Sequence, residues 1–413
     1  MSNPQLQSNA ASALLATINE SPNTQHNSYV YSETDAIVPQ TSMAWDNLTK
    51  SSGESNSLGS LHWDINKNGR MTKMVLGLRF ALKATEASAM GPNWAMNCIH
   101  EINISSGGRI IQRLTRENIL AHISEQPFYV QGAYVDGCHL KAGVTTTANG
   151  TVNKDFYLNI PGFWERNKTS LNTSFLQPLR VTVRFADFTK THLSTTSIEL
   201  IDDHSILYVQ YRNMQDPIDS ATIQSNFGDG LLSQLVTTYS AENPVAFTPV
   251  DADEHSYPVQ LRETSCVQSM YIMVTKDIGT SPGTTGVGVP LAINNIEFSS
   301  NGNSYINVPA KMLQLYGTQS VHGDKGFGAA NWGETNSTEN GGCKYVYKID
   351  FGQGSTDRNI LTNLLSFREL ASPTVAIKFK GSTDPHTFFV CYKRSELSNT
   401  VSSNGRYAIA LSN

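Results

Sequence analysis

Charge is scarce in this chain, and the residues that usually do chemistry are scattered. Asp, Glu, Lys and Arg make up 16% of the 413 residues, well under the usual quarter. The net charge of −5 leaves no global basic footprint for nucleic acid, and residues 1–49 hold no Lys or Arg at all. The five cysteines (Cys98, Cys138, Cys266, Cys343 and Cys391) are odd in number and lack CxxC spacing. That pattern favours buried reduced thiols over a disulfide framework or a zinc site. No run approaches the ~18 apolar residues of a membrane span, and the N-terminus lacks the basic segment of a signal peptide. The expectation is a soluble protein made in a reducing compartment.

Motifs for catalysis, metal binding or phosphate binding are equally lacking. His100-Glu101 has no second His to complete a HExxH site, and Asp202-Asp203-His204 reads as a polar turn before a strand. The ten His are dispersed without an HxH pair, so the clustered ligands of a cupin-type metal site are not in view. The stretch Gly323–Gly328 (GDKGFG) lacks the GK[ST] ending of a phosphate loop. With Asn331–Gly342 it reads as a surface loop. Asn-x-Ser/Thr sequons recur along the chain, among them those at Asn47, Asn103, Asn149, Asn167, Asn172 and Asn336. In a chain so rich in Asn, Ser and Thr most arise by chance. No catalytic, cofactor-binding or metal-binding residue is assigned, and the chain does not read as an enzyme.

What the chain does have is strand texture. Sixteen Tyr, sixteen Phe and abundant Val, Ile and Thr suit half-buried pleated surfaces. Short runs such as Met74–Phe80, Ile99–Ile104, Phe156–Ile160, Leu179–Phe185 and Ile206–Tyr211 are separated by turn clusters, SSGG, TTANGT and ERNKTS among them. That rhythm, almost without helical period, indicates a sandwich or barrel.

Two stretches break the rhythm. Residues 1–59 read as an N-terminal arm, with Leu6, Ala10, Leu14 and Ile18 at helical spacing within Pro4–Asn19 and a Ser/Asn/Thr-rich tail after it. Residues 216–262 read as a connection, in which Gly228–Tyr239 (GDGLLSQLVTTY) suits one helical turn or an edge strand. The expected division is therefore an arm at 1–59, a first β-domain at 60–215, the connection, and a second β-domain at 263–413.

An internal repeat ties the two domains together, and duplication fixes architecture. Ile99–Thr115 reads IHEINISSGGRIIQRLT and Ile293–Pro309 reads INNIEFSSNGNSYINVP, an offset of 194 residues. Each is a strand, a Gly-containing turn and a second strand, with Gly108 and Gly302 free to take positive φ. A helix-like piece follows each hairpin, at Arg116–Ile123 and Ala310–Tyr316, with Thr115 placed as an N-cap. Flanking runs answer one another in order: Met74–Phe80 to Ser269–Thr275, Asp155–Pro161 to Tyr345–Phe351, Leu176–Phe185 to Ala371–Lys380, and Ile206–Arg212 to Phe388–Arg394. Roughly eight strands in about 150 residues per copy suit a jelly-roll sandwich. The fold class expected is all-β: two tandem jelly rolls with a short N-terminal arm.

The same residues resemble the major capsid proteins of the double jelly-roll lineage, in the branch of nucleocytoplasmic large DNA viruses, virophages and polinton-like viruses. INISSGGRIIQRLT is similar to that family's strand–Gly-Gly–strand segment, and FYLNIPGFWERNKTSLNTSFLQPLRVTVRF to the segment that ends its first roll. GLLSQLVTTY resembles the inter-roll connection, and FFVCYKRSELSNTVSSNGRYAIALSN the closing strands. The second hairpin departs from the pattern with Asn301-Gly302 in place of Gly-Gly. The resemblance covers about residues 60–413. It implies a homotrimer whose six sandwiches form a pseudo-hexagonal capsomer tiling an icosahedral shell. The partners implied are neighbouring capsomers, minor capsid and penton proteins, and an internal membrane beneath the shell in many relatives. No cofactor and no direct sequence-specific contact with nucleic acid are implied, and the location is the virion after assembly in the host cytoplasm. The alternative is a tandem jelly-roll carbohydrate-binding module, lectin or fibre-like, with Trp164 or Trp332 as an exposed sugar platform.

Overall fold

The computed structural model describes residues 41–87, 90–126, 128–140, 144–162, 164, 171–173, 176–190, 196–214, 233–276, 288, 290–313, 345–351, 365–380, 383–403 and 406–412. The helix expected within Pro4–Asn19 and the loop Gly323–Gly328 lie outside them, as do Trp332 and Cys343. Within the described residues the strands pair antiparallel throughout.

The first half forms two sheets. β1 (Thr41–Thr49), β4 (Arg70–Ala84), β7 (Gly150–Asn159), β8 (Leu171–Asn172), β10 (Thr196–Leu200) and β11 (Ile206–Met214) make one, in the order β1–β11–β4–β10 with β7 and β8 also on β4. β2 (Ser52–Gly53), β3 (Ser60–Ile65), β5 (Ile99–Ser106), β6 (Arg109–Thr115) and β9 (Leu179–Phe185) make the other, in the order β2–β3–β9–β5–β6. Alternation shows why: in β9, Leu179, Val181, Val183 and Phe185 point inward while Arg180, Thr182 and Arg184 point out. Each inward side chain contributes about 1.5–3 kcal/mol by leaving water. They meet Leu76, Leu78 and Phe80 of β4 in one core. Phe80 sits edge-on to Trp94, Phe156 and Phe188 at 5.6, 6.1 and 6.4 Å.

The second half repeats this plan. β12 (Ser233–Ala241), β13 (Val245–Phe247), β15 (Cys266–Lys276), β18 (Tyr347–Asp350), β19 (Leu365–Ser366), β21 (His386–Ser403) and β22 (Arg406–Ser412) form one sheet. β14 (His255–Gln260), β20 (Thr374–Phe379), β16 (Asn295–Ser300) and β17 (Asn303–Pro309) form the other, in that order. Among the described residues, no sheet mixes strands of the two halves. The fold is a double jelly roll, all-β as expected.

The hairpins confirm the repeat residue by residue. Ile102 lies between Leu114 and Val183, and Ile296 between Val308 and Ile377. The β-bulge also recurs: Ile111 is the extra residue of β6, and Tyr305 that of β17. Both turns use two left-handed residues, Gly107-Gly108 at φ 57° and 83° and Asn301-Gly302 at φ 51° and 76°. This is the twist a two-residue hairpin requires, and Asn tolerates it better than other side chains. Thr115 caps the helix α2 (Arg116–Ser124), its Oγ1 accepting from the Asn118 amide. Residues 310–313 are helical at the equivalent place.

Two expectations need correction. The four flanking runs correspond in order, but each letter alignment is one residue out. The bulged residues Thr72 of β4 and Gln268 of β15 match Met74 to Met270, not to Ser269. A one-residue slip exchanges the two faces of a strand. The slip went unseen in the letters because β15 is buried from Ser269 to Thr275 without alternation.

The expected boundaries also move. β1 pairs along its length with β11, so residues 41–49 belong to the first sheet and not to an irregular arm. β12 and β14 lie within the stretch read as a connection, yet they pair with β21 and β20 of the second roll. Neither was legible: β1 has no fully buried face, and β14 carries Pro258, tolerated there because β14 is an edge strand.

Candidate assembly surfaces

The two rolls meet at a junction built from unlike faces. From the first roll come α2 and β6; from the second come β12, β21 and β22. Tyr239, Tyr271, Met273, Val346 and Cys391 of the second roll join the core cluster of the first. These residues lie on the outer face of their own sheet, opposite Met270, Ile272, Val274, Val390 and Tyr392, which fill the second roll's core. This double coverage makes β15 a near-continuous apolar run, as strands buried on both faces are.

Polar contacts fix the junction. The Glu125 carboxylate, just past the end of α2, takes Lys393 at 2.9 Å and Lys348 at 3.0 Å, both from the second roll. Lys348 also pairs with Asp350 at 3.0 Å. Burial pushes the Glu125 carboxyl upward, but the two ammonium groups outweigh it and hold it well below the usual carboxylate range. Burial likewise works against the Lys348 charge, and Glu125 with Asp350 keeps it raised. Both stay charged because each buried ion has its counter-ion. Nearby, His122 Nδ1 lies 3.0 Å from the Tyr239 hydroxyl, and the Arg116 guanidinium sits 5.9 Å from the centre of the Phe389 ring. A cleft of about 620 Å³ runs between the rolls, bordered by Ile111 and Asn118 on one side and Thr238, Tyr239 and Phe389 on the other.

The residues weighed for chemistry fall elsewhere. Glu101 is buried while His100 is exposed. Burial would raise the Glu101 carboxyl, yet Arg184, Asn103 and Arg113 together lower it, with Arg184 at 2.8 Å and Arg113 at 2.6 Å. That is a cross-strand clamp on β5, β6 and β9. Asp202–His204 form a 3₁₀ turn before β11, and Asp202 pairs with Lys50. Trp164 is buried in the first roll's core, so it offers no sugar platform. Cys98, Cys138 and Cys391 are buried thiols and Cys266 is an exposed one. Among the described residues, no group of three or more His, Cys, Asp or Glu side chains is placed to hold a metal ion. No helix among them is long and apolar enough to cross a membrane.

Sequence reasoning missed a surface. The outer face of the first sheet carries Met43 and Trp45 of β1, Tyr208 of β11 and Tyr157 of β7, with Met43, Trp45 and Tyr157 exposed. Tyr157 and Tyr208 lie 6.4 Å apart over Gly77. A Cβ there would come 2.8 Å from the Tyr208 ring, so any larger residue would push that ring aside. The signal, aromatics at alternate positions outside the core period, was masked by β1 being read as part of the arm.

Neither a family model nor a curated protein matches the chain. Solved structures do match it. The capsid protein VP54 of the virus PBCV-1, fitted into a reconstruction of the virophage Sputnik, shares 11% identity at a TM-score of 0.66, over 93% of this chain and 99% of that one. The Faustovirus major capsid protein shares 8% at 0.61, over 97% of each chain. The mavirus major capsid protein shares 11% at 0.58, over 93% of this chain and 94% of that one. The chain thus has the double jelly-roll fold of these viral capsid proteins, over nearly its whole length and theirs.

Proposed function

We propose that this chain is a major capsid protein, a structural subunit and not an enzyme. It assembles as a homotrimer into a pseudo-hexagonal capsomer, and the capsomers tile an icosahedral shell. The observation that carries this reading is the fixed, buried junction between two copies of one roll, in a fold shared end to end with solved capsid proteins. Duplication gives a three-fold particle six similar outer faces, which suits a lattice position with six neighbours. Neighbouring capsomers, minor capsid and penton proteins, and in some settings an internal membrane, are the partners this role calls for. The virion is its location, after assembly in the host cytoplasm.

The genome is not among those partners. Affinity for phosphate comes from Lys and Arg, and residues 1–49 carry none. Light scattering on the purified protein tests the reading: a stable trimer at micromolar concentration supports it, and a monomer under native salt overturns it.

A further inference from the structure

One histidine of the second roll is enclosed by aromatic rings. His386 opens β21 and is 1% exposed. Its ring is stacked on Phe247 of β13, with 5.6 Å between centres, and sits edge-on to Phe379 of β20 at 5.0 Å. Phe247 in turn lies 4.3 Å from the Tyr257 ring of β14. The imidazole is bonded to the Asp384 backbone, and its Nδ1 has no hydrogen-bond partner among the described residues. A neutral imidazole fits this box, since only one of its nitrogens carries a proton. An imidazolium does not. It would bring a second N–H donor and a charge into a site that lacks an acceptor for them.

The charged groups around the box do not supply a counter-ion. Lys276 of β15 stands opposite His386 in the ladder and pairs with Asp384 at 2.9 Å, so the acid beside the ring is already engaged. On β14, His255 lies 2.7 Å from Asp251 near the surface. Lys378 and Lys380 flank Phe379 on β20 and are exposed, as are Asp253 and Glu254 before β14. The faces of Phe247 and Phe379 attract a cation, but less strongly than the water it gives up. Burial, the largest influence, and Lys276 hold the imidazole below the ordinary histidine range, against the pull of Asp384.

What the box holds is β13. That strand has three residues, and its ladder partners are Phe388, Thr387 and His386 itself. It joins β12, which borders the inter-roll cleft, to β14, an edge strand. We infer that His386 is a pH-sensitive latch: neutral, it holds β13 against the second roll, and protonated, it leaves the aromatic box and releases β13 with the loop to β14. The inference goes beyond the capsid reading and does not depend on it. The sign follows from which form the fold favours. Stability from the neutral ring is present above the unfolded value of about 6.5 and is lost as pH falls toward the lower folded value. The latch therefore opens on mild acidification, while Glu125 still keeps its charge.

Hydrogen exchange of the full chain tests this, read by mass spectrometry and corrected for the intrinsic pH dependence of exchange. From about pH 7.5 to about pH 5, protection of the peptide spanning Val245–Phe247 should fall about fivefold or more, with the strands of the first roll unchanged. His386→Phe keeps a ring in the box that cannot titrate, and its protection should stay within about twofold over that range. His386→Gln serves the same purpose if the Phe variant folds poorly. His255→Gln, which removes the neighbouring imidazole, should leave the fall intact. A flat wild-type profile overturns the inference. So does a fall that survives in His386→Phe or His386→Gln, or one that vanishes in His255→Gln. Loss of protection spread evenly over both rolls is acid unfolding in place of a latch, and overturns it too.

Discussion

Glu125 and Lys393 are 268 residues apart in the chain and 2.9 Å apart in the fold. They lie on different rolls, so their ion pair acts on the junction and not on either sandwich alone. Breaking one side of a buried pair costs about 3–5 kcal/mol, because the other charge is left without its partner. Glu125→Gln is therefore expected to lower the melting temperature clearly, and to loosen the rolls before either core unfolds. Proteolysis between the rolls, compared with a melt of the whole chain, would show that order.

The pH dependence of this pair has a definite sign. The folded carboxyl of Glu125 titrates well below its ordinary value. Its contribution is present in full above the unfolded value of about 4.3 and is lost as pH falls through the depressed folded value. The stability gap between the wild type and Glu125→Gln should stay constant from about pH 8 to about pH 5 and shrink only below about pH 4. A gap that closes near neutral pH would contradict the assigned charges.

The hairpin turns offer a paired test of the duplication. Asn301 holds a left-handed φ of 51° where the first roll has Gly107 at 57°. Asn301→Gly should be close to neutral, whereas Asn301→Val should cost about 1–2 kcal/mol because a branched side chain resists that conformation. Denaturant midpoints of the two variants would decide it.

Core truncation should likewise act alike in both copies. Ile102 and Ile296 are fully buried at corresponding places. Either change to Ala should cost about 2–5 kcal/mol, and the two costs should add, since the residues lie in separate cores. Unequal effects beyond that range would argue that the two sandwiches do not share one plan.

This hairpin was the most legible part of the sequence. Its turn chemistry, SSGG and SSNG, is local, and local chemistry survives in letters. The strands around it were legible as strands and in order, but not in register. Ser269 to Thr275 is buried on both sides, so alternation could not show which residues face the core. β1 was invisible for the opposite reason, having no fully buried side. The junction was beyond reach of the sequence altogether, since nothing local links Glu125 to Lys348 and Lys393. The outer aromatic face became visible only once β1 was placed beside β11 in the first sheet.

The arm gives a prediction separate from the fold. Residues 1–40 contain Glu20, Glu33 and Asp35 and no Lys or Arg, with Leu6, Ala10, Leu14 and Ile18 at helical spacing. Such a segment suits a protein groove and is repelled by a polyphosphate. Deleting residues 1–40 should leave the trimer folded and impair shell assembly. Tight, salt-sensitive DNA binding that disappears with the arm would contradict this, as would normal shells built without it.

The central claim is that two joined rolls per chain build a three-fold capsomer with six similar faces. Negative-stain images of the purified full-length protein address it most directly. Particles with a hexagonal outline and three-fold distribution of mass are the predicted result; isolated two-lobed monomers, or a two-fold dimer, would contradict it.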